Sequence, residues 1–288
     1  MLRTVSALLA LVSISSMVAD TAWAQTSSGR LGAIASSKVI KIAHRVDATP
    51  FSFVNDRNEP AGYTIDVCKQ VITSLERLLG VPSLKVEWVP VTTQTRFEVI
   101  AGGKADLECG SSTVTLGRMK IVDFSNYVFV ESTGLAVRTA SGITSLKDVS
   151  GKKIAVIAGT TNENAIRLQN RQLQLNAVIV PLRDREEVIT ALDNGSVDAF
   201  ASDKLLLAGT RFKSVQNLRM LPDDLSIEPY AIVLPRGDWE FRLAVNTALA
   251  EIFRGPEIRK TFDRWFAQIG LQPGPFLIAA YMFGALPE

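Results

Sequence analysis

The sequence predicts an α/β protein of two lobes, each built on a mostly parallel sheet. Short β-branched strands alternate with amphipathic helices along most of the chain, and this order is typical of parallel sheets. About 260 of the 288 residues remain once an N-terminal targeting segment is set aside, which exceeds what one compact core usually needs, so two lobes are expected. No internal repeat is visible. Ligands of such sheets bind beyond the carboxyl ends of the strands, which places a site in the loops.

The first half of the chain opens with the order strand, helix, strand. Residues 39–43 form a β-branched run, and apolar residues then recur at helical spacing through 64–79. Gly80 and Pro82 end that helix, and 84–89 alternates as a strand. The next predicted elements are a helix at 96–101 and strands at 105–108, 127–130 and 135–137.

The second half repeats the alternation. A strand at 154–157 leads through Gly159-Thr160-Thr161 into a helix that ends near Leu173. The remaining predicted elements are strands at 177–180, 199–201 and 230–234 and helices at 185–194, 239–253 and 257–266.

The N-terminus has the layout of a secretory signal peptide. Arg3 precedes an apolar run over 6–19, and Ala22-Trp23-Ala24 supplies a small-x-small ending, so cleavage is expected after Ala24. The alternative is a transmembrane anchor, but a span needs about 20 apolar residues and this run is shorter and interrupted by serines. The mature protein is therefore expected outside the cytoplasm, with the Ser- and Gly-rich residues 25–37 as a flexible leader.

Composition and charge argue against several classes of function. Lys and Arg number 31 and Asp and Glu 29, for a formal net charge of +2, so no global field attracts nucleic acid or an anionic membrane. The single histidine, His44, has no nucleophile motif beside it and is expected to be structural. Neither a zinc site nor a cofactor is expected. Cys68 and Cys109 either form a disulfide, which an exported protein allows, or remain buried thiols.

Polar side chains near the ends of the predicted strands suit one kind of ligand. Arginine binds carboxylates with a planar fork, and an aspartate pairs with an ammonium group, so together they suit an acidic amino acid. The loops 110–113 and 159–161 can present hydroxyls and backbone N–H groups to an anion, although Thr160 and Thr161 also fit simple helix capping. The candidate residues are Arg45, Arg96, Ser111, Thr113, Arg118, Thr160, Thr161, Arg185 and Asp203.

A set of short fragments resembles, in its order and spacing, one known family. Each fragment is weak alone, and together they extend from about Val39 to Ile269. They include His44-Arg45, Pro50-Phe51-Ser52-Phe53, Gly62-Tyr63, Thr92-Thr93-Gln94-Thr95-Arg96, residues 106–113, Arg118, Asp123-Phe124-Ser125, Gly159-Thr160-Thr161 and Leu206-Leu207-Ala208-Gly209. The chain thus resembles the extracellular amino-acid-binding proteins of ATP-driven importers, polar amino acid group, and among them the periplasmic glutamate/aspartate-binding proteins.

The resemblance implies the type II periplasmic-binding-protein fold, an α/β fold whose ligand cleft lies between two lobes joined by a two-strand hinge. The implied divisions are a signal peptide at 1–24, a leader at 25–37, the first lobe at 38–133 and 231–270, the second lobe at 134–230 and a C-terminal extension at 271–288. The extension is apolar but too short to span a bilayer. Whether it packs on the first lobe or contacts a partner is left open.

The family's binding residues carry over position by position. The resemblance implies that Arg118 takes the α-carboxylate, supported by Thr113 and the Thr160 region, and that Asp203 pairs with the α-ammonium group near Ser111. It further implies that Arg45, Arg96 and Thr93 face the side-chain carboxylate and that Phe51 or Phe53 covers the aliphatic part of the ligand.

One position departs from the family in a way that bears on specificity. Arg185 stands where the close relatives have a histidine near the side-chain carboxylate, which puts the preference between glutamate and aspartate in doubt. Arg185 alternatively fits a solvated helix start paired with Asp184 or Glu187. Thr93 for the relatives' serine is a milder change.

The expected function follows from the resemblance. It implies a periplasmic monomer that captures L-glutamate or L-aspartate without turnover and delivers it to an inner-membrane ABC permease with its ATPase; it also favours a Cys68–Cys109 disulfide. One alternative is a cyclohexadienyl or prephenate dehydratase-like enzyme, for which Asp203 is the only cleft carboxylate to nominate as general acid. Another is a glutamine- or asparagine-binding protein, if Arg45 or Arg96 points away from the ligand.

Overall fold

The computed structural model describes residues 29–209 and 218–287. The helices in these ranges are α1 Gly29–Ser37, α2 Tyr63–Leu79, α3 Arg96–Ala101, α4 Thr161–Gln172, α5 Arg185–Asp193, α6 Lys204–Gly209, α7 Trp239–Arg254, α8 Glu257–Phe266 and α9 Pro275–Gly284. The strands are β1 Val39–Arg45, β2 Asp47–Ala48, β3 Ser52–Val54, β4 Pro60–Ala61, β5 Lys85–Val91, β6 Leu107–Glu108, β7 Asp123–Arg138, β8 Lys153–Ile157, β9 Val178–Leu182, β10 Ala199–Asp203, β11 Leu218–Met220 and β12 Ser226–Leu234.

One sheet of nine strands runs through both lobes. Its order is β5-β1-β6-β12-β7-β10-β8-β9, with β11 paired to β7, and β2, β3 and β4 form a separate small sheet. β1 runs parallel to β5 and β6, and β8 runs parallel to β9 and β10. The predicted α/β class is therefore confirmed. The expectation of mostly parallel pairing is wrong for the sheet as described, because four of its strand pairs are parallel and four, all involving β7 or β12, are antiparallel.

Strands β7 and β12 join the two lobes. They pair antiparallel from Ser226 opposite Thr133 to Leu234 opposite Asp123, and β7 continues past that point to pair with β10. The chain thus crosses between lobes twice, as the resemblance implies. The sequence pattern predicts two short strands where β7 is continuous, because the small and polar residues near its centre interrupt the β-branched pattern.

Each lobe has its own hydrophobic core. In the first lobe an aromatic cluster packs edge to face, with the Phe51 ring centroid 4.9 Å from that of Phe129 and 5.2 Å from that of Tyr230. The second lobe buries aliphatic side chains of β8 and β10, among them Ile154 and Val156, against α4 and the start of the lobe. Apart from Leu206, which joins the first-lobe cluster, the buried clusters are each confined to one lobe, and this allows each lobe to move as a unit about β7 and β12.

The first long helix shows how the sequence sets local structure. The apolar positions of α2 recur at helical spacing and bury Ile65, Val71, Ile72 and Leu75. The helix ends at Gly80, which has φ 62° and whose N–H donates to the helix carbonyls.

A disulfide joins Cys68 of α2 to Cys109, which directly follows β6, with their Cα atoms 6.4 Å apart. It ties the helix to the strand that leads to Ser111. The pairing that the resemblance favours is present in the structure.

Two terminal segments are helical. The expectation of a flexible leader is wrong for residues 29–37, because α1 buries Leu31 and Ile34 against the first lobe and Arg30 pairs with Asp106 at 3.1 Å. At the other end, α9 packs on the first lobe through Leu277 and through a hydrogen bond between the hydroxyls of Tyr281 and Tyr63. Of the two alternatives left open for the C-terminal extension, the structure shows packing on the first lobe.

The signal peptide and the cleavage after Ala24 lie outside the described residues. Across residues 29–209 and 218–287, the helices all fall short of the length and apolar character that crossing a membrane requires.

Candidate functional site

The candidate residues come together where strands of both lobes end. One cavity is lined by Arg45, Thr93, Arg96, Ser111, Thr113, Ile157, Thr160, Thr161, Asn162, Arg185, Ser202, Asp203 and Leu206. It holds about 340 Å³ of space free of protein atoms, part of it open to solvent. Nine of the ten residues nominated from the sequence are among these lining residues.

The geometry of the parallel strands explains this convergence. Arg45 ends β1, and Ser111 and Thr113 follow β6 in the first lobe. Asp203 ends β10 and Arg185 begins the helix after β9 in the second lobe. The parallel strands of each lobe end at one edge of that lobe's part of the sheet. Because β6 runs in the direction of β7 and β10 runs against it, these two edges face each other across the hinge, and their loops share one cleft.

The segment that carries Thr113 is fixed to the hinge. The Val114 N–H donates to the Pro229 carbonyl at 2.9 Å, and the Ala231 N–H donates to the Ser112 carbonyl at 3.1 Å. Both partners belong to β12, so Thr113 is placed by the strand that joins the lobes.

Arg118, the tenth nominated residue, lies beside Thr113 and is not among the lining residues. Its Nη1 donates to the Thr113 carbonyl oxygen at 2.6 Å, and its guanidinium lies 4.8 Å from the centroid of the Phe97 ring. The contact with an α-carboxylate that the resemblance implies stays a prediction.

The cations of the cavity are buried and crowd one another. Arg45 and Arg96 are 3% and 4% exposed. Burial, together with the neighbouring charges of Arg118 and Arg45, lowers the pKa of Arg96 to about 9, so the side chain remains a cation at neutral pH. The Nε atoms of Arg45 and Arg96 are buried without a hydrogen-bond partner. Such groups favour an anionic ligand.

Arg185 belongs to the cavity and not to the solvated surface. It is 7% exposed and its guanidinium lies 5.6 Å from the Phe200 ring centroid. Asp184 instead caps α5 and pairs with Arg183 at 2.8 Å. The alternative of a solvated helix-start residue is therefore wrong for Arg185.

The threonines that open α4 have different positions. Thr160 is the N-cap, since its Oγ1 accepts a hydrogen bond from the Glu163 N–H at 3.2 Å, and it also lines the cavity. Thr161 Oγ1 lies 3.4 Å from Thr113 Oγ1 in the opposite lobe. Capping and a position in the cavity are thus compatible, as the sequence suggested.

Asp203 is the carboxylate on the cavity wall. It is 6% exposed, and its Oδ1 accepts a hydrogen bond from Asn162 Nδ2 at 3.1 Å. Burial, reinforced by the nearby charge of Glu228, raises the pKa of Asp203 to about 6. A cationic group of a ligand favours the ionised form of this side chain.

The lobes also touch at the rim of the cavity. The Gln94 side chain of the first lobe donates from Nε2 to the Arg183 carbonyl oxygen of the second at 2.6 Å. Asp47 of the first lobe pairs with Arg45 at 2.6 Å and its charge acts on Arg185 across the cleft. The structure is therefore that of a closed cleft.

Two aromatic side chains lie elsewhere than expected from the sequence, and six residues at or beside the cavity were not expected. Phe51 is fully buried in the aromatic core, and Phe53 packs edge-on against Trp265, so neither lines the cavity. Apolar lining comes instead from Ile157 and Leu206. The residues that sequence reasoning missed are Ile157, Asn162, Ser202 and Leu206 in the lining and Asp47 and Glu228 beside it.

Some of these residues carried a weak signal in the sequence. Asn162 directly follows the Gly-Thr-Thr loop, and Glu228 is an acidic residue near the start of an otherwise apolar strand. A buried strand holds an acidic residue only where partners satisfy it.

His44 is structural in its contacts. It is 3% exposed, its ring meets Trp88 edge-on at 5.7 Å, and its Nδ1 lies 3.1 Å from the Arg45 carbonyl oxygen. Burial lowers the pKa of His44, which favours the neutral ring. Among the described residues, no group of three or more His, Cys, Asp or Glu side chains is placed to hold a metal ion.

Comparison with known proteins agrees with this geometry. Residues 40–268 match the family model described as bacterial extracellular solute-binding proteins, family 3. The glutamate/aspartate import solute-binding protein of Salmonella typhimurium is 32% identical over 238 residues, which cover 82% of this chain and 79% of that one. The L-glutamate/L-aspartate-binding protein of Pseudomonas aeruginosa is 30% identical over 275 residues, covering 93% of this chain and 89% of that one.

A solved structure shows the same fold. The ancestral amino acid-binding protein AncCDT-1, a precursor of cyclohexadienyl dehydratase, matches with a TM-score of 0.71 and 25% sequence identity. The match covers 83% of this chain and 100% of that one. The predicted two-lobed fold is thus confirmed by comparison as well as by the sheet topology.

Proposed function

The chain belongs to the bacterial extracellular solute-binding proteins of family 3, and we propose that it captures L-glutamate or L-aspartate for an ABC importer. The observation that carries the proposal is the convergence of Arg45, Arg96 and Arg185 with Asp203 in one interlobe cavity. Several cations with one carboxylate match the charges of an acidic amino acid, which has two carboxylates and one ammonium group. The family relatives named for glutamate and aspartate support the same ligand class.

Each end of the ligand has a proposed partner. Arg118 takes the α-carboxylate, with Thr113 and the start of α4 beside it, and Asp203 takes the ammonium group near Ser111. The side-chain carboxylate faces Arg45, Arg96 and Thr93, with Arg185 reaching in from the second lobe. The unpartnered Nε atoms of Arg45 and Arg96 support this assignment, because a bound carboxylate would satisfy them.

Binding and closure are one event in this proposal. The first lobe supplies Arg45, Arg96 and Thr113, whereas the second supplies Arg185 and Asp203. A ligand that contacts both sets stabilises the closed form, since it binds that form more tightly than the open one. The closed protein then docks on an inner-membrane permease with its ATPase, as a periplasmic monomer released by cleavage after Ala24.

The proposal includes no turnover. Asp203 accepts a hydrogen bond from Asn162 and is committed to the ligand's ammonium group, which leaves it poorly suited to act as a general acid. Glu228, a further buried carboxylate near the cavity, is held by hydroxyl groups. Incubation with prephenate tests this point directly, and product formation would contradict it.

The test is calorimetric titration of the exported protein with glutamate, aspartate, glutamine and asparagine, after unfolding and refolding to remove carried ligand. We expect micromolar or tighter binding of the two acids and weak binding of the amides. Replacement Arg96→Met should weaken binding of the acids by roughly 10- to 100-fold, because it removes a charged hydrogen-bonding group. Binding of the amides alone, or of none of the four, would contradict the proposal.

The matched control is Arg57→Met. Arg57 is exposed in the turn between β3 and β4, so its loss removes one cation without touching the cavity. We expect this variant to bind as the wild type does. An equal loss in both variants would mean that overall charge, and not Arg96, governs affinity.

A further inference from the structure

A buried carboxylate on the hinge holds three hydroxyl groups. Glu228 lies on β12 and is 2% exposed. Its Oε2 accepts a hydrogen bond from the Thr113 hydroxyl at 2.6 Å. Its Oε1 accepts from the hydroxyls of Thr133, at 3.2 Å, and Ser226. Thr113 is a cavity residue of the first lobe, so Glu228 links the cavity to the hinge.

The hydrogen bonds continue into the second lobe. Asn162 Nδ2 donates to Thr133 Oγ1 at 2.8 Å and lies 3.1 Å from Asp203 Oδ1, which accepts from the same amide group. The path thus runs from Thr113 through Glu228, Thr133 and Asn162 to Asp203. It joins cavity residues of both lobes through side chains of the two hinge strands.

The direction of these bonds decides what the cavity can recognise. A carboxylate only accepts hydrogen bonds, so the single hydroxyl proton of Thr113 is committed to Glu228. The lone pairs of Thr113 Oγ1 remain, and Thr161 Oγ1, 3.4 Å away, must be the donor in that contact. Asp203 is likewise an acceptor when ionised. These two side chains therefore accept hydrogen bonds and do not donate them.

We infer that Glu228 is a positioning residue for the amine end of the ligand. It orients the Thr113 hydroxyl as an acceptor and, through Thr133 and Asn162, holds Asp203. A ligand with a donating ammonium group satisfies both side chains, whereas a ligand without one leaves them unpaired. This inference rests on the proposed function. It adds a structural reason why the protein would bind an amino acid more tightly than the same carboxylic acid without the amino group.

The inference also bears on the α-carboxylate. A carboxylate has no proton to donate, and the Thr113 hydroxyl proton is already donated to Glu228. The Thr113 hydroxyl is therefore a poor partner for the α-carboxylate. The resemblance implies that Thr113 supports the α-carboxylate. We infer that the Thr113 hydroxyl group takes no part in that support.

Glu228→Gln tests the inference with two ligands, glutamate and glutarate, which lacks the amino group. The glutamine amide can donate to Thr113 Oγ1 and reverse the direction of that hydrogen bond. We expect the wild type to prefer glutamate strongly, and the variant to lose roughly 10- to 100-fold of that preference, measured as the ratio of the two dissociation constants. A merely structural role would weaken both ligands equally and leave the ratio unchanged.

Glu131→Gln is the matched control. Glu131 lies opposite Glu228 in the hinge register, and its Oε1 accepts from the Ser132 N–H at 2.9 Å. It lines a separate pocket on the hinge together with Lys204, so the variant converts a second hinge carboxyl group to an amide without touching Thr113. We expect its ligand ratio to stay within about threefold of wild type, because the hydrogen bond from Thr113 to Glu228 is unchanged in this variant.

The outcomes separate the two proposals. An unchanged ratio in Glu228→Gln, equal changes in Glu228→Gln and Glu131→Gln, or equal wild-type affinities for glutamate and glutarate would each overturn the role of Glu228 while the proposed function stands. If the wild type binds glutamine and not the acids, the proposed function fails, and the same comparison with glutaramate in place of glutarate tests Glu228. A wild type that binds none of these ligands overturns both.

Discussion

Gly209 of the second lobe lies directly against the backbone carbonyl of Thr49 in the first. A β-carbon built on Gly209 would stand 2.3 Å from the Thr49 oxygen and 2.8 Å from its carbonyl carbon. Because the obstacle is backbone, it cannot rotate away as a side chain can. Closure of the cleft therefore depends on the absence of a side chain at position 209.

Gly209→Ala should impair closure while leaving each lobe folded. Forcing an extra carbon into a packed contact costs about 1–3 kcal/mol, which corresponds to roughly 10- to 100-fold weaker binding of glutamate. Calorimetric titration measures the affinity, and small-angle scattering with and without ligand measures closure. Gly274→Ala is the control, because no atom lies within 4 Å of a β-carbon there. Wild-type affinity in Gly209→Ala would contradict the expectation.

Affinity should fall at acid pH because of Asp203. Burial and the charge of Glu228 raise the pKa of Asp203 to about 6 in the absence of ligand, with Tyr230 and Arg185 also facing it. The ligand's ammonium group needs the ionised form, so the contact is fully present above about pH 6 and is lost below it, by up to about tenfold per pH unit. Binding should then release a proton near that pH.

Titration from about pH 5.5 to about pH 8, where glutamate itself changes charge little, measures this dependence. Buffers of different ionisation enthalpy report the released proton. Glu131→Gln should keep the profile, although burial raises the pKa of Glu131 to about 8. A flat affinity over this range would show that Asp203 does not supply the ammonium contact.

Arg185 should set the preference between the two acids. It enters the cavity from the start of α5, and a histidine at this position has a shorter reach. Arg185→His should therefore weaken aspartate more than glutamate, by about tenfold in the ratio of dissociation constants if one charged hydrogen bond is lost. Arg183→His is the control, because Arg183 is exposed and pairs with Asp184 at 2.8 Å. An unchanged ratio in Arg185→His would exclude a role in this choice.

The disulfide should stabilise the first lobe. Cys68 and Cys109 are 41 residues apart, and closing a loop of this length stabilises by roughly 3–4 kcal/mol in the chain-entropy model. The variant Cys68→Ala/Cys109→Ala should lose about that free energy of unfolding in urea denaturation. Wild-type protein treated with a reductant is the matched comparison and should lose a similar amount. An unchanged urea midpoint in both would contradict the expectation.

The strongly periodic elements could be predicted closely from the sequence. The helices at 96–101 and 257–266 have those bounds in the structure, because apolar spacing and neighbouring breakers define them locally. The two-residue strands β2 and β4 escaped prediction, since so short a segment has no period. Helix α1 also escaped, because its Ser- and Gly-rich composition conceals two apolar residues whose contacts lie far along the chain.

The sequence by itself determined that Arg45, Arg96, Thr160 and Asp203 stand at or near strand ends and helix starts, and the family resemblance implied that they share one cleft. This information is local, because strand ends and helix starts are set by nearby residues. Only the tertiary structure decided that Arg185 is buried, that Phe51 belongs to the core, and that Glu228 accepts a hydrogen bond from the Thr113 hydroxyl. Thr113 and Glu228 are 115 positions apart, and their contact exists only because the hinge strand packs against the loop after β6.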